Sequence, residues 1–455
     1  MGISTFLGLE TTLRGLLAQQ QEIDVTGHNI ANADTPGYSR ETANLVASTP
    51  QPVVPSGLLG TGVTVQGYQR VRDNFIDIQL RAQTMKKGYA EAQQNGLNQV
   101  EMSLNEPSDT GLSSLLSSYW AAWQNVTNAP EDLASRQALA QSAASLANGF
   151  NSLASQFQTV VSQTQQQQTL TVSQINSIGT QIAQLNGAIA SAESTGQQPN
   201  DLLDQRDLLI DQLSELGNTA VSQTAGTAGQ YGSLDITVGG ATLVTGTTAS
   251  SLTLASMTSL TSGQLAGMQS VIDSIQDPTT GYLTKLNQLA GTIASATNTQ
   301  HALGTDLNGN AGGAFFDVTA GNEAATLAVD PAILASPALI AASGNGQVGD
   351  ASNATAIADL QQQTLLGGAT IDTAYSQLVT QIGADSQEAQ QNLSNQTSLV
   401  DALSNQRQSV SGVSLDEEMS NLLQYQRGYQ ASARALTAMD QLIDQLVNRT
   451  GTVGL

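Results

Sequence analysis

The spacing closest to a metal site begins at Asp306. Asp306, Asn308 and Asn310 alternate, and Asp317 follows, which imitates the first, third, fifth and twelfth positions of a calcium loop. Ala311 stands where that loop needs Gly for its sharp turn, and Asp replaces the bidentate Glu. An ordinary Asn/Gly turn is therefore favoured over a calcium site, and no metal ligand is assigned. Gly60-x-Gly62 lacks the downstream Gly and the strand-to-helix setting of a dinucleotide fingerprint, so it reads as a hairpin turn. His28 sits beside a heptad-spaced apolar run with no nucleophile nearby in sequence, and it packs or meets water rather than acting as a base. Asp416, Glu417 and Glu418 could be imagined as a carboxylate site, but Ser414 and Glu417 form a capping box, so the trio marks a helix start. With 2 His and 0 Cys, the chain has no thiolate nucleophile, no disulfide and no multi-His or Cys-based zinc site. Nothing reads as catalytic or cofactor-binding, and the expectation is a protein that is not an enzyme and carries no cofactor.

The surface supports that expectation. Charged residues make up 11% of the 455, against about 25% in an average domain. The balance of 14 basic and 37 acidic residues gives −23, and the only lysines are Lys86, Lys87 and Lys285. Nucleic acid and anionic membranes are excluded as partners, because both require a basic patch. The N-terminus lacks a basic n-region, a continuous apolar core and a small-residue cleavage site, so any export is independent of a signal peptide. The apolar stretch 327–342 is broken by Asp330, Pro331 and Pro337 and is too short to span a bilayer.

The elements that fill the chain are mostly helical. Leu9, Leu13, Leu16, Gln20, Ile23, Gly27 and Ile30 recur at alternating spacings of four and three, the seam of a long helix that wants a helical partner. The pattern stops at 32–38, where Pro36 and Gly37 suit the two central positions of a type II turn. Extended structure with a hairpin follows over 41–72, with Val63 and Val65 alternating. Helical spacing resumes through Phe75, Ile78, Ala82, Met85, Tyr89 and Ala92 to near Pro107, and a second helix carries both tryptophans. A run from 131 to 195, if continuous, is about 95 Å long at about 1.5 Å per residue, and such a rod belongs in a bundle or fibre. A short helix over 201–216 stops at Gly217, and strand-like alternation over 217–262 marks a small β domain. Helical pattern returns over 263–303, breaks across a Gly- and Asn-rich loop at 304–322, and resumes over 353–410 with an interruption at Gly367-Gly368. The last helix carries Leu422, Tyr425, Tyr429, Ser432, Leu436, Met439, Ile443 and Leu446 at spacings that match the first.

The fold class expected is mainly α with a small inserted β domain, a long helical bundle rod whose N- and C-terminal helices pair as a coiled coil. Residues 1–40 with 412–455 form the terminal coiled-coil assembly layer, 41–216 with 263–411 a helical rod domain with a short hairpin, and 217–262 the β domain. The predicted assembly interface is Leu9, Leu13, Leu16, Ile23 and Ile30 with Leu422, Tyr425, Tyr429, Leu436, Met439, Ile443 and Leu446. Spacing alone leaves open whether those seams meet within one chain or across neighbouring subunits.

The run Asn29-Ile30-Ala31-Asn32-Ala33-Asp34-Thr35-Pro36-Gly37-Tyr38-Ser39-Arg40 resembles the N-terminal motif shared by flagellar rod, hook and hook-associated proteins. Ser411 to Glu418, followed by Tyr425-Gln426-Arg427-Gly428-Tyr429, resembles the matching C-terminal end. In the interior, Ser135-Arg136-Gln137-Ala138-Leu139, the 200–207 run Asn-Asp-Leu-Leu-Asp-Gln-Arg-Asp and Thr299-Gln300-His301 are similar to the hook-associated protein 1 family. The resemblance implies a structural protein that forms a ring at the junction of hook and filament. Its implied partners are the hook protein, the second hook-associated protein on the filament side, further copies of itself and a dedicated export chaperone. It also implies export of the unfolded chain through the hollow structure, and a place outside the cell. By the same resemblance, Asn32, Asp34, Pro36, Gly37 and Tyr38 mark the joint between the inner coiled-coil layer and the next. Many relatives carry a further variable domain after the equivalent of Phe315-Phe316, and this chain looks shortened there. The alternatives are another axial flagellar protein of hook, rod or filament type, and more remotely a secreted adhesin or enzyme that uses the β domain.

Overall fold

Apolar periodicity and Pro/Gly punctuation place the elements of the computed structural model, which describes residues 6–53, 57–223 and 234–448. Helix α1 (Phe6–Ala31) leads through the Pro36-Gly37 turn into strands β1 (Glu41–Ala47), β2 (Gln51–Val53), β3 (Gly57–Leu59) and β4 (Val63–Arg70). Helices α2 (Asn74–Leu104), α3 (Leu112–Asn128), α4 (Leu133–Ser194) and α5 (Asn200–Leu216) follow. At 62 residues α4 runs about 93 Å, close to the length expected. Next come β5 (Thr219–Gln223), β6 (Leu234–Val238), β7 (Ala241–Thr245) and β8 (Thr248–Ala249), then α6 (Gln264–Gln276) and α7 (Tyr282–His301). The segment read as one helix over 263–303 is thus two. Pro278 cannot continue the ladder, and it holds Asp277 extended at ψ 128. Strand β9 (Phe316–Asp317), α8 (Glu323–Thr326), β10 (Ala328–Val329), α9 (Pro331–Ala335) and α10 (Ser352–Ala358) are short. The chain closes with α11 (Ile371–Ser411) and α12 (Leu415–Asn448). Among the described residues no helix is long and apolar enough to cross a membrane.

Two compact units share these elements. The first takes residues up to 85, 173–260 and from 397 onward. Its core lies between the second half of α4 and the antiparallel sheet β5-β6-β7-β8, where Ile175, Ile182, Ile236, Val238, Leu243 and Val244 are buried. Helix and sheet approach closely at Gly179, where a Cβ would lie 2.7 Å from the Leu243 side chain. Asn176 stitches the contact by donating to the Leu252 carbonyl at 2.9 Å and accepting the Leu252 N–H at 2.7 Å. In the same unit β1 and β4 form an antiparallel ribbon, Glu41 opposite Arg70, with an irregularity at Asn44/Leu45. The ribbon rests on α1. Gly62, at φ +104, ends the hairpin, and a Cβ there would sit 3.3 Å from the Thr11 carbonyl.

The second unit takes residues 86–172 and 261–396. Its core holds Trp120, Trp123, Tyr119, Phe150, Phe157, Phe315 and Phe316. The 304–345 segment is fastened to it by polar side chains that bond its backbone. Asn298 donates to the Phe316 carbonyl at 2.7 Å and accepts the Phe315 and Phe316 N–H groups at 2.7 and 2.8 Å. Buried His301 donates from Nδ1 to the Gly313 carbonyl at 2.8 Å and accepts the Ala341 N–H on Nε2 at 2.8 Å. Arg136, also buried, donates to the carbonyls of Pro130 and Ile340. The motif residues Arg136 and His301 therefore act as anchors of this segment. Gln168 is buried and pairs with Gln269 at 3.3 Å.

Candidate functional site

Helices α1 and α12 pair antiparallel in one constant register. Gly8 faces Met439, Gly15 faces Ser432, Gln19 faces Gly428, and Asn29 faces Glu418, so that the residue numbers of every pair add to the same total. Glycine at Gly8, Gly15 and Gly428 lets the two backbones come close. A Cβ on Gly8 would already meet Met439 Cε at 3.2 Å. The buried residues of α1 are Ala18, Thr26 and Asn29, all small or polar. The predicted seam is thereby turned toward the flank: Leu9, Leu16, Ile23 and Ile30 are half-covered, and Leu13 is 42% exposed. On α12, Leu422, Tyr425, Tyr429, Leu436, Met439 and Ile443 are half-buried. The Leu446 side chain lies outside the described residues. In α2 the periodic residues Phe75 and Ile78 point outward, 67% and 66% exposed, while Ile76 and Leu80 pack inward.

The joint is built around Asn29, 1% exposed at the end of α1. Its Oδ1 accepts the Glu41 N–H at 2.9 Å and the Tyr38 hydroxyl at 2.8 Å. Its Nδ2 donates to the Glu41 carbonyl at 2.9 Å and to Glu418 Oε2 at 3.2 Å. One side chain thus pairs with β1 as a strand would and also holds the start of α12. Because the Tyr38 proton goes to Asn29, His28 Nδ1 carries a hydrogen and donates to Tyr38 at 3.1 Å. Burial, then the neighbouring carboxylates of Glu41, Asp201, Asp204 and Glu418, push the Tyr38 hydroxyl pKa up, so it stays a donor. Asn32 accepts from Thr35 at 3.2 Å and donates to the His28 carbonyl at 3.1 Å, closing the end of α1. The Tyr38 N–H reaches the Thr35 carbonyl at 3.2 Å across Pro36-Gly37, with Gly37 at φ +82 as a type II turn requires. Asp34 and Pro36 are exposed. Ser414 caps α12 by accepting the Glu417 N–H at 3.5 Å, but Glu417 reaches Arg40 at 3.0 Å instead of closing a capping box. Glu418, read with Asp416 and Glu417 as marking the helix start, is buried against Asn29.

Behind the joint lies a ladder of charges that sequence reasoning missed. Asp204, Asp207 and Asp211 share one face of α5. Asp204 accepts the Ser39 N–H and hydroxyl, both at 2.8 Å, and Arg70 at 2.7 Å. Asp207 accepts Arg70 at 2.9 Å, Arg72 at 2.7 Å and Arg81 at 3.3 Å. Asp211 accepts Arg81 and Arg407, each at 2.6 Å. Burial pushes the Asp207 carboxyl up, but Arg72, Arg70 and Arg81 outweigh it and hold it below the usual range. The signal available was the spacing of those three aspartates along one helix face. On another face Arg206 donates to Asn186 at 3.0 Å, and Asn186 donates to the carbonyls of Leu234 and Gly246 at 3.1 and 2.7 Å.

The other candidate chemistry resolves into structure. Asp306 accepts the backbone N–H groups of Asn308 and Asn310 at 2.8 Å, and both Asn side chains turn their NH2 groups toward it at 3.4 Å. Among the described residues one trio, His28, Glu41 and Asp201, brings possible ligand atoms within 4.8 Å of one another, and His28 is already held by Tyr38. A cavity of about 770 Å³ along α7 is lined by neutral groups such as Asn287, Gln288, Thr292 and Ser295, together with Glu323.

Both ends of this arrangement have known counterparts. Residues 9–38, spanning α1 and the joint, match the flagella basal body rod protein family, and 404–449, spanning α12, match the flagellar basal body rod FlgEFG protein C-terminal family. Residues 97–316 match the flagellar hook-associated protein FlgK helical domain. Rod-type ends around such a helical domain define a structural component of the bacterial flagellum. The chain is 34% identical to flagellar hook-associated protein 1 of Bacillus subtilis over 512 residues, covering 99% of each. It is 28% identical to flagellar hook-associated protein 1 of Escherichia coli over 551 residues, covering 97% of this chain and 99% of that one. The structure of the flagellar hook junction protein FlgK from Burkholderia pseudomallei has the same fold, with TM-score 0.62 at 20% identity, covering 73% of this chain and 100% of that one. This chain belongs to the flagellar hook-associated protein 1 family. Both alignments run over more residues than its own 455, in keeping with a shortened member.

Proposed function

We propose that the chain builds the ring that joins hook to filament, a structural rather than enzymatic role. The observation that carries this reading is the α1–α12 pair, held in one register and locked at Asn29 to the ribbon beyond it. Residues 1–40 with 412–455 act as the assembly layer, 41–216 with 263–411 as the rod domain, and 217–262 as the β domain. Leu9, Leu16, Ile23 and Ile30 on α1, with Leu422, Leu436 and Ile443 on α12, are only half-covered by the pair, which leaves apolar surface for neighbouring subunits. Asn32, Asp34, Pro36, Gly37 and Tyr38 set the angle at which the assembly layer meets the next one. The chain passes unfolded through the hollow structure, accompanied to the export gate by a dedicated chaperone. Outside the cell it meets the hook protein on one side and the second hook-associated protein on the other. Electron microscopy of a strain lacking the gene tests the reading: hooks without filaments and flagellin shed into the medium are expected, and normal filaments would refute it. In that strain Leu16→Asp or Leu436→Asp should be exported but not retained at the hook tip.

A further inference from the structure

We propose that His28, Glu41 and Asp201 form a binding site for a divalent transition metal, zinc foremost, which clamps the joint where α1, β1 and α5 converge. The inference stands on the geometry of the joint and does not depend on the ring.

One ligand atom from each of the three residues lies within 4.8 Å of the other two. The residues come from the last turn of α1, the first position of β1 and the first turn of α5, all within the first unit. The His28 ring is already prepared for a metal. Tyr38 holds it only at Nδ1, which donates at 3.1 Å, so the proton sits there and Nε2 carries the lone pair. Histidines that bind metals are oriented in this manner, by a second partner that fixes the tautomer and the ring plane. Nε2 looks toward Asp201 Oδ2 at 3.9 Å, too far for a hydrogen bond. Glu41 Oε2 stands 4.0 Å from the Nδ1 edge of the same ring.

Charge calls for a cation at this point. In the neighbouring ladder Asp204, Asp207 and Asp211 are each answered by arginine. Glu41 and Asp201 meet no arginine or lysine among the described residues, and His28 is the one basic group beside them. With that imidazole neutral, both carboxylates are left without a counter-charge, and a divalent ion supplies it. The donor set selects among ions. Calcium and magnesium take six or more oxygen ligands, whereas an imidazole, two carboxylates and one water suit tetrahedral zinc. Zinc bonds of about 2.0–2.2 Å place ligand atoms about 3.3–3.5 Å apart, so the trio has to close by about 0.5–1.5 Å. The His28 and Asp201 side chains, 40% and 61% exposed, have room to do so. Glu41 closes by swinging its carboxylate toward Nε2.

The test titrates the full chain, purified without a histidine tag and stripped of metal, with zinc chloride in a calorimeter near neutral pH. One zinc per chain is expected. His28→Gln and Asp201→Asn should each weaken binding by more than about tenfold, and Tyr38→Phe, which removes the partner of Nδ1, by about ten- to a hundredfold. His301→Gln removes the other of the 2 histidines and should bind zinc as the unchanged chain does. In nitrogen-15 spectra of ring-labelled histidine, zinc should shift the His28 Nε2 signal and leave those of His301 in place. Free zinc at a hundred times its dissociation constant should slow exchange of the Ser39 and Glu41 amides, which bond to Asp204 and Asn29 in the joint, about a hundredfold. Absence of saturable binding overturns the inference. So does binding that Asp201→Asn leaves unweakened, since that change lies on an exposed side chain and does not threaten the fold. Coordination through Nδ1 refutes the ligand set, and zinc bound at Nε2 without slower exchange refutes the clamp.

Discussion

Replacing Asn29 with Ala should unlock the joint. The change removes four hydrogen bonds from a side chain that is 1% exposed. It leaves the Glu41 N–H and carbonyl and the buried Glu418 carboxylate without that partner. A buried polar group deprived of its partner costs about 1–3 kcal/mol, more when charged, and water regains part of it at half-buried Glu41, so a loss of about 3–5 kcal/mol is expected. Hydrogen exchange is the suitable assay, because both tryptophans lie in the other unit and do not report on the joint. Protection of the Glu41 amide should fall by a factor of about a hundred or more. Asn29→Asp sharpens the test. It keeps the shape and can still accept from Tyr38 and the Glu41 N–H, but it sets a carboxylate against Glu418. The new carboxyl is then harder to ionise in the folded chain than in the unfolded one. Its penalty is absent below the unfolded value of about 3.9 and complete above the raised folded value, so the variant should approach the original chain as pH falls. A loss under about 1 kcal/mol for Asn29→Ala, or a deficit of Asn29→Asp that ignores pH, would refute the reasoning.

Asp207→Asn breaks a buried contact with three arginines and should cost about 3–5 kcal/mol in urea unfolding of the first unit. Because the Asp207 carboxyl is held below its usual 3.8, its stabilisation is complete above that value and lost as pH falls through the lowered one. The acid-side loss in the original chain should therefore be smaller in the Asn variant. His301, whose pKa burial pushes below 6.5, accepts the Ala341 N–H while neutral. The stability it contributes is full above 6.5 and declines as pH falls toward the lowered value, so the protection factor of the Ala341 amide, exchange being corrected for its intrinsic pH dependence, should fall as pH drops below 6.5. His301→Gln should remove that pH dependence. Gly267→Ala drives a Cβ into the Tyr89 carbonyl and Ala92, and tryptophan fluorescence should show the second unit unfolding about 1–3 kcal/mol more easily.

Elements that depend on local pattern were legible in the sequence. The run from 131 to 195 is α4, the Pro36-Gly37 turn has the expected handedness, and the two terminal helices pair. Periodicity and the conformational limits of Pro and Gly act over a few residues, so a single chain carries them in full. Pro278 was an equally local signal, and reading through it joined α6 to α7. Orientation was harder. Heptad spacing ranks residues by apolarity, whereas the distance between α1 and α12 is set by Gly8, Gly15 and Gly428, and close approach turned Leu13 outward. The same blindness placed Phe75 and Ile78 in a seam that faces solvent.

What the sequence determined by itself was the succession of helices and, through its motifs, the flagellar family. The tertiary structure alone decided that Asn29 is the hub, that Glu418 turns inward to meet it, and that Asp204, Asp207 and Asp211 are answered by Arg70, Arg72, Arg81 and Arg407. Those partners come from β4, the link that follows it, α2 and α11, far apart in the chain. A hydrogen bond or ion pair depends on a few ångströms of separation, and only the packing of distant elements sets that distance.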